Sequence, residues 1–127
     1  KPDQTRIKSG ELVLETKNAF PFSAEIRIHF LDENMQVMHT VLGSQDIISS
    51  LMGEFEVQTG LNVGASNVNI VLSENVLNDI NNVKSIIVEA KFNSINPNSG
   101  VSEQVDIPFG AFIAIKLKTR FISENIF

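Results

Sequence analysis

From Phe109 to Ile122 the chain alternates apolar and polar positions. Phe109, Ala111, Ile113, Ile115 and Leu117 fall on one side, and Lys116, Lys118 and Arg120 on the other. Side chains alternate across a strand, so this is the pattern of a half-buried antiparallel strand. The same period recurs in Ala24, Ile26, Ile28 and Phe30, and again in Ile86, Val88, Ala90 and Phe92. Strands are expected near residues 10–18, 23–31, 35–42, 54–59, 66–72, 84–93, 101–107 and 109–122. The stretch 43–53, which holds Ile47, Ile48, Leu51 and Met52 between two glycines, is expected as an irregular crossover or a short edge strand.

The breaks between these runs have their own chemistry. Pro21 fixes its own φ and holds Phe20 extended, so 18–22 turns a corner outside any ladder. Asp32, Glu33 and Asn34 form a hairpin turn. Centring it on Glu33 and Asn34 pairs Phe30 with Val37 and Ile28 with His39, and gathers Met35 and Val41 on the same face; a slip of one residue would put Gln36 and Thr40 there instead. Ser73 is placed to cap a short helix over residues 74–81 that turns Val76, Leu77 and Ile80 inward, with Glu74 in its first turn. Together these elements predict an all-β fold: an antiparallel two-sheet β-sandwich of about seven or eight strands, immunoglobulin- or fibronectin III-like, with one short helix. The expected organisation is a tail or linker over 1–10, one domain over 11–122 and a C-terminal tail over 123–127.

Composition narrows the function. At 127 residues the chain is long enough for one domain with a core of its own, and it has no cysteine. Thiol catalysis, cysteine zinc sites and disulfide frameworks therefore drop out. The net charge is −5, and the one basic cluster is Lys116, Lys118 and Arg120 on one strand face, which speaks against nucleic acid as a partner. Nine Phe stand beside no Trp and no Tyr, which favours a core role for the aromatics over a sugar-stacking platform. No run reaches the ~20 apolar residues of a membrane span, and no signal peptide is visible.

Candidate chemistry is sparse. In the expected register His29 and His39 lie on opposite faces of the hairpin and do not share a metal. Asp32–Asn34 lacks the later ligands and the glycine of a calcium loop. The segment from Gly60 to Gly64 lacks the Lys-Ser/Thr of a phosphate loop. Glu54 and Glu56 share a strand face, while Asp79 and Asp106 stand apart; a carboxylate pair works as acid and base only where a pocket shifts one of them. The expectation is no enzyme, no catalytic residue, no cofactor and no metal. The candidate partner-binding residues are Phe20, Pro21 and Phe22, and Phe109 and Phe112 join Phe20 and Phe22 as candidates to line a lipid site.

Two segments carry a resemblance. Leu12-Val-Leu-Glu-Thr-Lys-Asn-Ala-Phe-Pro-Phe22 is followed by Ala24-Glu-Ile-Arg-Ile-His-Phe-Leu-Asp32: an Asn, an apolar residue, Pro, an apolar residue, an alternating strand and an Asp turn. With 70–78, 86–93 and 113–117 the layout resembles the repeated β-sandwich modules of surface lipoproteins in Bacteroides-like bacteria, over roughly residues 11–118. It is more loosely similar to the plant late-embryogenesis-abundant type 2 domain, a fibronectin III-related sandwich; Ala19 stands where that family favours Pro after Asn. The resemblance implies an exported, cell-envelope or surface module, used for adhesion, spacing or assembly. Its partner would be a protein or glycan at the cell surface, or neighbouring domains of the same chain. A glycan- or lipid-binding sandwich and an accessory domain of a larger enzyme are the alternatives. Neither family pattern assigns a functional residue.

Overall fold

Residues 4–93 and 106–126 are described by a computed structural model. Seven strands occur in this part of the chain: β1 (Gln4–Asn18), β2 (Ser23–Leu31), β3 (Val37–Leu42), β4 (Glu54–Glu56), β5 (Leu61–Val71), β6 (Ser85–Asn93) and β7 (Ile113–Ile126). One helix, α1 (Glu74–Asp79), lies between β5 and β6 and runs into a short 3₁₀ turn, Ile80–Asn82. The strands form two sheets, ordered β4-β5-β1-β7 and β3-β2-β6, and every pairing is antiparallel. The fold is an all-β two-sheet sandwich. The expected strand at 101–107 lies largely outside the described residues.

The core forms where the alternating faces meet. Leu12 and Leu14 of β1 and Val68 and Ile70 of β5 pack toward Ala24, Ile26, Ile28 and Phe30 of β2, with Ile47, Leu72 and Val76 filling in. Burying each large aliphatic side chain here contributes about 1.5–3 kcal/mol. Ser73 caps α1 by accepting a hydrogen bond from the Val76 N–H at 3.4 Å; Val76 is buried, and Leu77 and Ile80 are partly buried.

Strand limits depart from the periodicity in physically readable ways. The polar stretch expected as a tail continues β1, because its backbone has a partner: Gln4 to Ile7 pair with Ile126 to Ser123, past a bulge at Lys8. At the other end of β7 the strand starts at Ile113. Residues Pro108–Ala111 form a turn instead, with Gly110 at φ 85° and the Ala111 N–H donating to the Pro108 carbonyl at 3.1 Å. Phe109, expected on the buried face of this strand, is fully exposed.

The β2–β3 register differs from expectation by two residues. Phe30 faces His39 and Ile28 faces Val41, while Leu31 faces Val37, so Met38 is the extra residue of a bulge. The loop, closed where the Asp32 N–H donates to the Gln36 carbonyl at 3.0 Å, accounts for one residue of the shift and the Met38 bulge for the other. Asp32 Oδ1 accepts from the Asn34 and Gln36 N–H groups at 2.8 and 3.0 Å, and Met35 takes the left-handed conformation at φ 62°. This three-residue loop followed by a bulge is a common hairpin form. A two-residue shift preserves which face each side chain occupies. Val37 and Met35, beyond the sheet, are exposed.

Candidate functional site

The corner at residues 18–22 is built by one side chain. Asn18 is completely buried, and its amide nitrogen donates to the carbonyls of Phe22 at 2.7 Å and Ile48 at 3.1 Å. Its Oδ1 accepts from the Phe20 N–H at 2.9 Å. The backbone completes the fixture: the Ala19 N–H donates to the Phe112 carbonyl at 2.8 Å, and the Ser50 N–H to the Phe20 carbonyl at 3.0 Å. Thus a chain that has left both ladders still satisfies its polar groups, as buried backbone must.

The sequence-selected residues sit here in different ways. Pro21 is buried, and Phe20 and Phe22 are half-buried. The ring of Phe20 lies tilted against Phe92 of β6, centroids 5.2 Å apart, a favourable aromatic arrangement. Phe112 is tied to the corner through its carbonyl. Phe109 points away into solvent.

The crossover after β3 lies against this corner. Ile47 bridges Ala24 with paired backbone bonds of 2.8 and 2.9 Å, and residues Ser50–Met52 form a 3₁₀ turn capped by the Ser49 hydroxyl. The crossover lies directly on β5 because two glycines allow it. A Cβ on Gly64 would stand 2.6 Å from the carbonyl oxygens of Ile48 and Ser49, and one on Gly53 would collide with the Val63 carbonyl. The Gly60–Gly64 segment, read from sequence as a connector, is therefore a site of close backbone approach.

Between corner, crossover and the turn before β7 lies an open pocket of about 330 Å³. Pro21, Leu51, Phe55, Leu61 and Pro108 form its apolar walls, and Asp106 stands on its rim. Phe55 is 64% exposed and Leu51 46%. Sequence reading missed both. The signal was there in β4, where a lone Phe stands between Glu54 and Glu56 on an edge strand.

The remaining candidates are dispersed. His29 contacts Thr40 Oγ1 at 2.8 Å and Glu89 at 3.2 Å, while His39 contacts Asp79 at 2.8 Å and so ties β3 to α1. Glu56 pairs with Lys17 at 3.2 Å, and Glu54 is exposed. Among the described residues no three His, Asp or Glu side chains come together as a metal cluster. Among the described residues one carboxyl departs from its ordinary range: Glu15 is held low by the Lys118 hydrogen bond at 2.7 Å, and further by the Lys118 charge.

No protein-family model, curated protein or solved structure matches the chain. Among the described residues no helix is long and apolar enough to cross a membrane.

Proposed function

We propose that the chain is a non-catalytic module of an exported protein of the cell envelope or surface, serving adhesion, spacing or assembly through the apolar end built around Pro21. One observation carries this reading: Phe55 and Leu51 stand exposed at the mouth of a pocket whose base is fixed by Asn18. Contiguous exposed apolar groups with a polar rim mark interaction surfaces. Covering a ring such as Phe55 contributes about 1.5–3 kcal/mol. Glu54 and Asp106 are exposed beside this end. The partner this fits is a protein segment that offers an apolar side chain next to a basic one. Export is supported by the resemblance of residues 11–118, above all Leu12–Phe22 and Ala24–Asp32, to surface lipoprotein modules.

The test places a photo-crosslinking amino acid at position 55 in the expressing cell, and at position 87 as a control, since Ile87 is exposed on β6 of the other sheet. A discrete adduct from position 55 that is absent from position 87 is the expected result. No adduct, or the same adducts from both positions, overturns the reading. Protease shaving of intact cells tests the address: the module should be cleaved without lysis, and protection until lysis would remove the surface assignment.

A further inference from the structure

The geometry points to a second, independent surface: the outer face of the β4-β5-β1-β7 sheet binds an acidic sugar, one unit of an anionic glycan. The ladder sets three rows side by side. Val13 faces Asn69 and Lys118, Glu15 faces Asn67 and Lys116, and Lys17 faces Ala65 and Ala114. The two alanines leave room beside Lys17, and the result is a depression of about 450 Å³ bordered by Lys17, Glu15, Asn67 and Lys116. A concave surface with a few convergent polar groups is the ordinary form of a small-molecule site.

The polar groups around it are divided in an informative way. Glu15 is committed to Lys118 at 2.7 Å and Lys17 to Glu56 at 3.2 Å, so two long side chains are held in place. Among the described residues, the side chains of Asn67, Asn69, Lys116 and Arg120 make no hydrogen bond or ion pair within the protein. The depression therefore offers the Asn67 amide, both donor and acceptor, and the Lys116 ammonium, which stands across the ladder from Glu15 without a direct ion pair; Asn69 and Arg120, the latter opposite Glu11, lie farther along the same face. In a chain of net charge −5, Lys17, Lys116, Lys118 and Arg120 gather on this one sheet face.

That set selects among ligands. A cation recognises a carboxylate or sulfate, while an amide recognises hydroxyls, and an acidic sugar presents both kinds of group at once. A nucleic acid strand, with a phosphate at every nucleotide, needs a continuous basic track, which Glu11 and Glu15 interrupt here, whereas a single acidic sugar needs one cation beside its hydroxyl partners. A protein partner would find only small or β-branched apolar groups on this face, among them Val13, Val71, Ala65 and Ala114, with no ring to anchor on.

The experiment is an amide NMR titration of the chain with tetragalacturonate, with cellotetraose as the neutral counterpart and a thymidine oligonucleotide as the competing anion. Saturable shifts confined to the outer rows of β1, β5 and β7 are expected with tetragalacturonate, at least about tenfold tighter than with cellotetraose, the equivalent of one charged hydrogen bond. The double variant Asn67→Ala, Lys116→Ala should weaken binding about tenfold or more on the same scale while its thermal melt stays in place. Lys91→Ala, on the other sheet, should leave it unchanged. The proposal is overturned by no shifts at millimolar ligand, by equal response to the neutral sugar, by preference for the oligonucleotide, or by full binding in the double variant. None of these results bears on the Phe55 surface, so the two readings stand or fall separately.

Discussion

The amide nitrogen of Asn18 lies 2.7 Å from the carbonyl oxygen of Phe22, four residues on, and closes the corner around Pro21 from the inside. The same side chain serves Ile48 and Phe20, and no water reaches it, since Asn18 is fully buried. Removing it leaves two carbonyls and one N–H without a partner. Asn18→Ala should cost about 2–4 kcal/mol, at the upper end for a buried polar group that serves several partners. Urea denaturation with an unchanged m value is the measurement; a loss below ~1 kcal/mol would mean that the backbone holds this corner unaided.

Phe20 and Phe22 separate two ideas about the corner. Were both rings exposed anchors, Ala substitutions would stay within about 0.5 kcal/mol of wild type. Full burial would cost about 3–5 kcal/mol. Both rings are half-buried, and Phe20 lies tilted against Phe92. Phe20→Ala and Phe22→Ala should each cost about 1–3 kcal/mol, between the two limits. Phe92→Ala should be less than additive with Phe20→Ala, because the two share one contact. Strict additivity in that double-mutant cycle would show that the ring pair carries no coupling.

Met35 occupies a left-handed backbone position without being glycine, at φ 62°. A non-glycine residue there stores roughly 1 kcal/mol or more of strain. Its sulfur accepts a weak contact from Ser85 Oγ at 3.6 Å, which returns little. Met35→Gly should therefore be neutral to stabilising by up to about 1 kcal/mol, and Met35→Val, branched at Cβ, destabilising by about 1 kcal/mol or more. Thermal melts of the pair decide it, and the reverse ranking would exclude backbone strain as the cause.

Glu15 supplies a pH test with a definite sign. Its folded carboxyl is held below the ordinary carboxylate range by the Lys118 hydrogen bond and charge. Its contribution is present above the ordinary range and is lost as pH falls through the depressed folded value. The carboxyl carbon resonance of Glu15 should titrate below those of other exposed glutamates, and Lys118→Met should raise its midpoint. An unchanged midpoint in that variant would mean that the 2.7 Å contact is not populated in solution.

Near the site Gly53→Ala, whose added methyl collides outright with the Val63 carbonyl, should be the most damaging methyl addition, and Gly64→Ala the next. A Cβ at position 64 would press on two carbonyl oxygens of the crossover at 2.6 Å, and backbone cannot swing aside as a flexible side chain can. A loss of about 2 kcal/mol or more is expected from such overpacking. Gly60→Ala meets no neighbouring atom and pays only for its φ of 72°, so it should cost less.

The two sheets were legible because β2, the middle strand of its sheet, buries every second residue from Ala24 to Phe30. Its alternation is complete, and a one-residue slip would expose the whole set. The β3 register was not legible, because Phe30 with Val37 and Phe30 with His39 place the same faces together. Only the turn backbone tells them apart, and hydrophobicity does not record that Met35 turns left-handed. Phe109 misled for the opposite reason: its spacing fits the strand, but Gly110 turns the chain before the ladder begins. The corner residues were visible as Pro21 between two rings, whereas Leu51 and Phe55 reach them only through β5 and the crossover. The outer-face depression depends on cross-strand register, which no single strand encodes.

The order in which the chain is made bears on its folding. β1 pairs on one edge with β5 and on the other with β7, and the Glu15–Lys118 contact spans 103 residues. On the ribosome β1 emerges well ahead of β7, its second neighbour, with the 103-residue span between Glu15 and Lys118 still to be made. Through that interval it offers a bare edge bearing Leu12 and Leu14, the kind of surface that seeds mispairing between nascent chains. Contacts this distant also make closure slow. Production of soluble protein should thus depend on whatever shields that edge during synthesis more than on the final stability of the sandwich.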